Sequence, residues 1–151
     1  MSYRNLNTSE KLKVLVKRYS FRKLVELELE PNGRIRRNFI KAEEVTNVLY
    51  AIAVDGKMMY IGKTKCLWKR LDTYRNAKYW KNAFDSNKQK TQMLEDCIKA
   101  GKVEIYVRDC VSMTILTDVG DVSLTTMHSE ETRFIKLFTP EWNIQHNRKK
   151  K

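Results

Sequence analysis

Three tyrosines and an arginine are spaced so that a fold can bring them together. Tyr50 and Tyr60 flank an Asp55-Gly56 pair, a strong signal for a two-residue β-hairpin turn. The two phenols therefore fall on paired strands. The chain then enters a helical segment in which Arg70 and Tyr74 are four apart and share a face. This spacing allows a fold to place two phenols beside one guanidinium. A phenol can pass a proton, and an arginine fork binds oxyanions. The plainer reading also stands, because tyrosines are common in strand cores and a helix arginine is usually solvated.

The elements that would hold these residues follow from periodicity. Thr8-Ser9-Glu10 opens a helix carrying Leu12, Leu15 and Val16. Val25, Leu27 and Leu29 alternate with glutamates, the pattern of a half-buried strand. Pro31-Asn32-Gly33 turns the chain, and residues 34–40 return as a basic second strand. The run 48–54 is almost wholly apolar, as a central strand requires, and residues 57–62 pair back onto it. A helix is expected from Thr64, as its N-cap, to about Tyr74. A polar and aromatic loop follows over 76–86, then a helix over 87–99 stopped by Gly101. Val103, Ile105 and Val107 alternate as a further strand, 112–126 forms a hairpin about Val119-Gly120, and a last helix spans about 129–138 before Pro140. The fold class is α+β, with a central antiparallel sheet flanked by helices. Residues 1–46 form an N-terminal helix and hairpin extension, 47–145 the main domain, and 146–151 a basic tail.

Composition narrows the partners. Of 151 residues, 30 are Lys or Arg and 18 are Asp or Glu, a formal charge of +12. That excess attracts polyanions, nucleic acid first and an anionic membrane surface second. No stretch approaches the 18 apolar residues of a membrane span, and no apolar segment of a signal peptide follows the N-terminus. A soluble protein that stays in the cytoplasm is expected. Cys66, Cys97 and Cys110 include no CxxC pair, which argues against a disulfide framework or structural zinc. His128 and His146 have no ligand partner at zinc spacing, so surface or core placement is expected. Trp80, Tyr79 and Phe84 interleave with Lys78 and Lys81. That is either a base-stacking loop or a hydrophobic clip or subunit contact.

The sequence is identified by resemblance as a member of the GIY-YIG nucleases. Val48-Leu49-Tyr50 stands for the first motif and Tyr60-Ile61-Gly62 for the second, followed by the stretch to Arg70. Glu131 to Phe138 resembles the family's acidic helix, and Asn143 its closing asparagine. Four motifs in order span about 47–145, and the likeness to phage members reaches nearly the whole chain. Val48 and Leu49 depart from the family's glycine and isoleucine, a backbone choice that leaves the chemistry intact.

The resemblance implies an endonuclease hydrolysing double-stranded DNA with one Mg²⁺ per active site, which Mn²⁺ can replace. Glu131 would be the single carboxylate on the metal, and Arg70 would clamp the scissile phosphate. A phenol is a poor base unless cations lower its pKa. Tyr50 or Tyr60 is the candidate base, with Lys63 and the metal as the cations. Tyr74 would bind phosphate or orient water, Lys90 would stand near the site, and Asn143 would fix loop geometry without reacting. Lys23, Arg34, Arg36 and Lys65 are expected on the DNA backbone. One active site must nick or act in pairs, so a homo-oligomer is expected. The near full-length likeness implies a phage enzyme that degrades host DNA in the bacterial cytoplasm. A type II restriction enzyme, a catalytically silent DNA-binding protein of the same fold and a basic structural or membrane-surface protein are the alternatives. Between neighbouring acids, helical phase puts Glu131 above Phe134, Ile135 and Phe138, on the face that meets the sheet. Glu130 is expected to turn towards solvent.

Overall fold

The structure, a computed structural model, describes residues 2–39 and 45–143. Among these residues four α-helices, α1 (Thr8–Tyr19), α2 (Leu67–Asn76), α3 (Asp85–Ala100) and α4 (Met127–Phe138), surround a five-stranded antiparallel sheet. Its strands are β1 (Arg22–Leu29), β2 (Ile35–Phe39), β3 (Thr46–Val54), β4 (Lys57–Cys66) and β5 (Val103–Asp109), in the order β2-β1-β5-β3-β4. The fold is α+β. The N-terminal hairpin joins the sheet through β1, which pairs with β5. Among the described residues no helix is long and apolar enough to cross a membrane.

The apolar run of β3 is explained by burial on both faces. Val48, Tyr50 and Ile52 point to one side, where Leu67, Leu71 and Tyr74 of α2 and Leu94 of α3 cover them. Leu49, Ala51 and Ala53 point to the other, under Leu12 and Leu15 of α1 and Phe134 and Phe138 of α4. A strand inside a two-sided sandwich has no solvated face, so alternation disappears. The Asp55-Gly56 turn forms as expected, both residues with positive φ (52° and 75°), the type I′ geometry of tight hairpins. Asn7 caps α1 by accepting from the Glu10 N–H at 2.8 Å.

Two expectations are corrected. Residues 64–66 are strand, not the start of a helix, and α2 begins at Leu67. Thr64 pairs with Val48 and Cys66 with Thr46, so cross-strand bonding carries β4 past the point where local sequence favours a helix. The Thr64 hydroxyl serves the backbone of Cys66 and caps no helix. The 112–126 segment is a hairpin, β6 (Ser112–Thr117) and β7 (Gly120–Thr125), but its turn residues are Asp118 and Val119. It forms its own two-stranded sheet, and every residue of both strands is exposed.

Candidate active site

The tyrosine pair is set by the residue that faces it. In the β3–β4 register Tyr50 lies opposite Gly62. A Cβ on Gly62 would come within 2.7 Å of the Tyr50 Cζ and OH and 2.8 Å of Tyr60 Cε2. Only glycine lets the Tyr50 and Tyr60 rings approach to 6.0 Å between centroids. Tyr74 enters from α2 and its hydroxyl is hydrogen-bonded to that of Tyr50. Lys90 enters from α3, its Nζ 3.5 Å from the Tyr60 hydroxyl and 4.8 Å from that ring's centroid.

The three phenols differ in burial. Tyr50 and Tyr74 are each 1% exposed, whereas Tyr60 is half-buried. Burial pushes the Tyr50 phenol well above its ordinary pKa, Tyr74 and Tyr60 add to the shift, and the charge of Arg70 opposes it. Burial likewise raises Tyr74, again against Arg70. Both stay protonated at neutral pH. Arg70 is half-buried and, among the described residues, holds no ion-pair partner. Its guanidinium is therefore available to an anion.

Lys63 and Glu131 lie round the edge of the sheet from these groups. Successive strand residues point to opposite faces. Tyr60 belongs to the core under α2 and α3, whereas Ile61 belongs to that under α1 and α4. Lys63 follows Ile61 and reaches α4, where its Nζ is 3.9 Å from Glu131 Oε1. β4 is an edge strand, so the two sets of residues lie on opposite faces of one sheet edge. Asn143 ties that edge. Its Oδ1 accepts from the Ile61 N–H at 3.0 Å and its Nδ2 donates to the Ile61 carbonyl at 2.8 Å. The buried carboxamide thus replaces a missing strand neighbour, between Tyr60 and Gly62, and what it holds is a strand rather than a loop.

The expectation for Glu130 is overturned. Its side chain is 19% exposed and that of Glu131 20%, so neither turns to solvent. Glu130 accepts from Arg108 Nε of β5 at 2.8 Å and from the Thr126 hydroxyl. Burial works to raise its pKa, but the Thr126 and Arg108 hydrogen bonds outweigh this and hold it below the usual glutamate value. Its oxygens are occupied, whereas among the described residues those of Glu131 meet a distant ammonium alone. Among the described residues no three His, Cys, Asp or Glu side chains gather as a metal cluster. One open carboxylate fits Mg²⁺, which takes the rest of its shell from water and phosphate. It does not fit a protein-enclosed zinc ion.

The expected DNA contacts divide. Arg36 and Lys65 are exposed. Lys23 is engaged by Glu26 at 2.5 Å and Glu104 at 2.6 Å, and Arg34 by Asn76 at 2.5 Å, with its guanidinium 4.3 Å from the Tyr79 ring centroid. Those two side chains brace the sheet and the α2 end. Lys78 and the Tyr79 hydroxyl both bind the buried Glu95 carboxylate, a clip onto α3, while Trp80 and Phe84 remain exposed. His128, expected from the sequence to be a surface or core residue, is exposed and lies beside Lys63, Nδ1 to Nζ 2.7 Å, a contact that sequence reasoning did not foresee. The available signal was its position three residues before Glu131 on one helix. His146 lies outside the described residues.

No protein-family model matches the chain. Over 139 residues it is 41% identical to endonuclease II of enterobacteria phage T4, covering 91% of this chain and all of that one. The structure of a glutamate-to-alanine variant of the T4 enzyme superposes with a TM-score of 0.77 at 40% identity, covering 87% of this chain and 98% of that one. The restriction endonuclease Hpy188I, solved with product DNA, matches with a TM-score of 0.58 at 21% identity over 90% and 91% of the chains. At that identity the likeness is one of fold.

Proposed function

Because the chain belongs to the endonuclease II family of GIY-YIG nucleases and is a DNA endonuclease, we propose that it hydrolyses double-stranded DNA with Mg²⁺ at the β4 edge. Mn²⁺ is expected to substitute. The observation that carries the proposal is the side-chain-free Gly62 opposite Tyr50, which sets Tyr50 and Tyr60 together, with Arg70, free of ion pairs among the described residues, near enough for its charge to act on Tyr50 and Tyr74. Arg70 clamps the scissile phosphate. Tyr60 accepts the proton of the attacking water, since it alone of the three phenols is not fully buried. The Lys90 ammonium, 3.5 Å away, is placed to donate to its oxygen. Tyr50 and Tyr74, protonated and bonded to each other, hold the Tyr60 ring in place. Glu131 would hold the Mg²⁺, which when bound supplies charge stabilisation for the phosphate and the leaving 3′ oxygen. Lys63, whose charge reaches the same carboxylate, adds positive potential for the phosphodiester. Asn143 keeps the edge in register.

One such site cuts one strand, so a double-strand break requires paired copies or successive nicks. The exposed β6–β7 hairpin supports pairing. Met113, Ile115, Val122 and Leu124 form cross-strand pairs on one face and are exposed by 38–53%. Residues 111–126 carry Asp118 and Asp121 but no Lys or Arg. An apolar, mildly acidic spike is unsuited to DNA and suited to a second copy of the chain. The near full-length likeness to a phage endonuclease supports a role against host DNA in the bacterial cytoplasm. The test is incubation of supercoiled plasmid with MgCl₂, MnCl₂ or EDTA. Cleavage with either metal and none with EDTA is expected; cleavage in EDTA, or none with metal, refutes the proposal. Sequencing the cut ends separates degradation at many sites from restriction at one fixed sequence.

A further inference from the structure

The first turn of α4 carries a contact that the chemistry above leaves unused. Lys63 Nζ lies 2.7 Å from His128 Nδ1 and 3.9 Å from Glu131 Oε1. His128 and Glu131 are three apart on one helix, so the ammonium reaching across from β4 meets both from one side. An ammonium has three donors and no acceptor. Nδ1 is therefore the accepting nitrogen, and the ring proton resides on Nε2. The two distances differ in kind: 2.7 Å is a direct hydrogen bond, and 3.9 Å lies beyond hydrogen-bond reach.

We propose that His128 is a positioning residue of the nuclease site, holding the Lys63 ammonium off the Glu131 carboxylate so that the carboxylate stays open to a divalent cation. The inference rests on Glu131 as the metal-holding group. Lys63 is anchored by a paired strand, but its side chain is long and flexible, with two acceptors near its tip. Without the imidazole, the remaining one is the Glu131 carboxylate. An ammonium bonded there at the usual charge-assisted distance of about 2.8 Å occupies an oxygen that the cation needs. It also sets a positive charge against the incoming ion. Glu130 offers Lys63 no alternative, because its oxygens are committed to Arg108 and Thr126. With His128 in place, Lys63 lends positive potential to the site and leaves the carboxylate oxygens unblocked.

Mn²⁺ binding, followed by electron paramagnetic resonance, tests this on the full chain bound to a phosphorothioate duplex that resists hydrolysis. His128→Ala should raise the Mn²⁺ dissociation constant tenfold or more, the order of magnitude for losing an outer-shell partner. DNA affinity should not change. His128→Asn, whose carboxamide oxygen accepts about where Nδ1 does, should recover most of the loss. In a Lys63→Met background, His128→Ala should have no further effect on Mn²⁺. Unchanged Mn²⁺ affinity in His128→Ala, where Glu131→Ala loses the ion, overturns the inference and leaves the proposed function standing. A loss that Asn fails to rescue, or that persists without Lys63, also overturns it. Mn²⁺ bound equally well after Glu131→Ala overturns both.

Discussion

Substituting Gly62 by alanine tests the central geometric claim with one methyl group. The new Cβ would stand 2.7 Å from the Tyr50 ring and hydroxyl and 2.8 Å from the Tyr60 ring, against an ordinary carbon contact of about 3.5 Å. Both clashes must be relieved, by about 0.8 Å at Tyr50 and about 0.7 Å at Tyr60, so the β4 backbone at residue 62 and one of the rings shift together. Tyr50 has nowhere to go, being buried in an interior strand and bonded to Tyr74. Tyr60, half-buried on the edge strand, is the group that moves, away from Tyr50 and out of register with Lys90. Overpacking of this size costs about 1–3 kcal/mol of stability. Misplacing a reacting group by about 1 Å costs roughly a hundredfold in rate. Gly62→Ala should therefore remain folded by circular dichroism with a lowered urea midpoint, bind duplex DNA normally, and cleave plasmid about a hundred times more slowly. Gly101→Ala is the control. Its Cβ meets the Asp55 carboxylate at the far end of the β3–β4 turn, so it should lose stability while each folded molecule keeps its cleavage rate. Near-normal cleavage by folded Gly62→Ala would refute the reasoning that the close tyrosine pair is needed for the chemistry.

Tyr60→Phe should lower cleavage by about two to four powers of ten with unchanged DNA binding, and Tyr50→Phe by less, since its hydroxyl is buried against Tyr74; equal rates in both variants and the unsubstituted protein would remove the phenol base. Glu131→Ala should abolish Mg²⁺-dependent cleavage and keep or improve DNA binding, whereas Glu130→Ala should retain substantial activity; the reverse pattern would move the metal site to Glu130. The Glu130 pKa is depressed in the fold, so its ion pair stabilises the protein above the ordinary glutamate range and that share is lost as pH falls through the folded value. Glu130→Gln should consequently be less stable than the parent at neutral pH, with the difference shrinking in acid urea titrations. Affinity for duplex DNA should fall with salt at roughly 0.9 log units per log unit of salt for each phosphate contacted; a flat titration would exclude DNA-backbone neutralisation as the role of the +12 charge.

What local sequence determines here is whatever depends on neighbours along the chain. The Asp55-Gly56 turn, the two-sided apolar strand β3, the alternation in β1 and the hairpin near residue 119 follow from turn chemistry and period, and the structure contains them. The resemblance singled out Tyr50, Tyr60, Arg70 and Glu131 as candidates because these motifs keep their order and spacing. Tertiary structure decided the rest, through partners remote in sequence. Pairing with β3 extended β4 through Cys66 where local signals favoured a helix start. Arg108, 22 residues away, took up Glu130, which helical phase alone had turned towards solvent. Lys23 and Arg34 look like phosphate contacts in a chain of high positive charge, yet Glu104 and Asn76, brought close by folding, bind them first. His128 gained a part only when β4 and α4 brought Lys63 to it across 65 residues. Periodicity shows which face of an element is buried. Which charge meets which is set by how the elements dock, and this small site is built from such meetings.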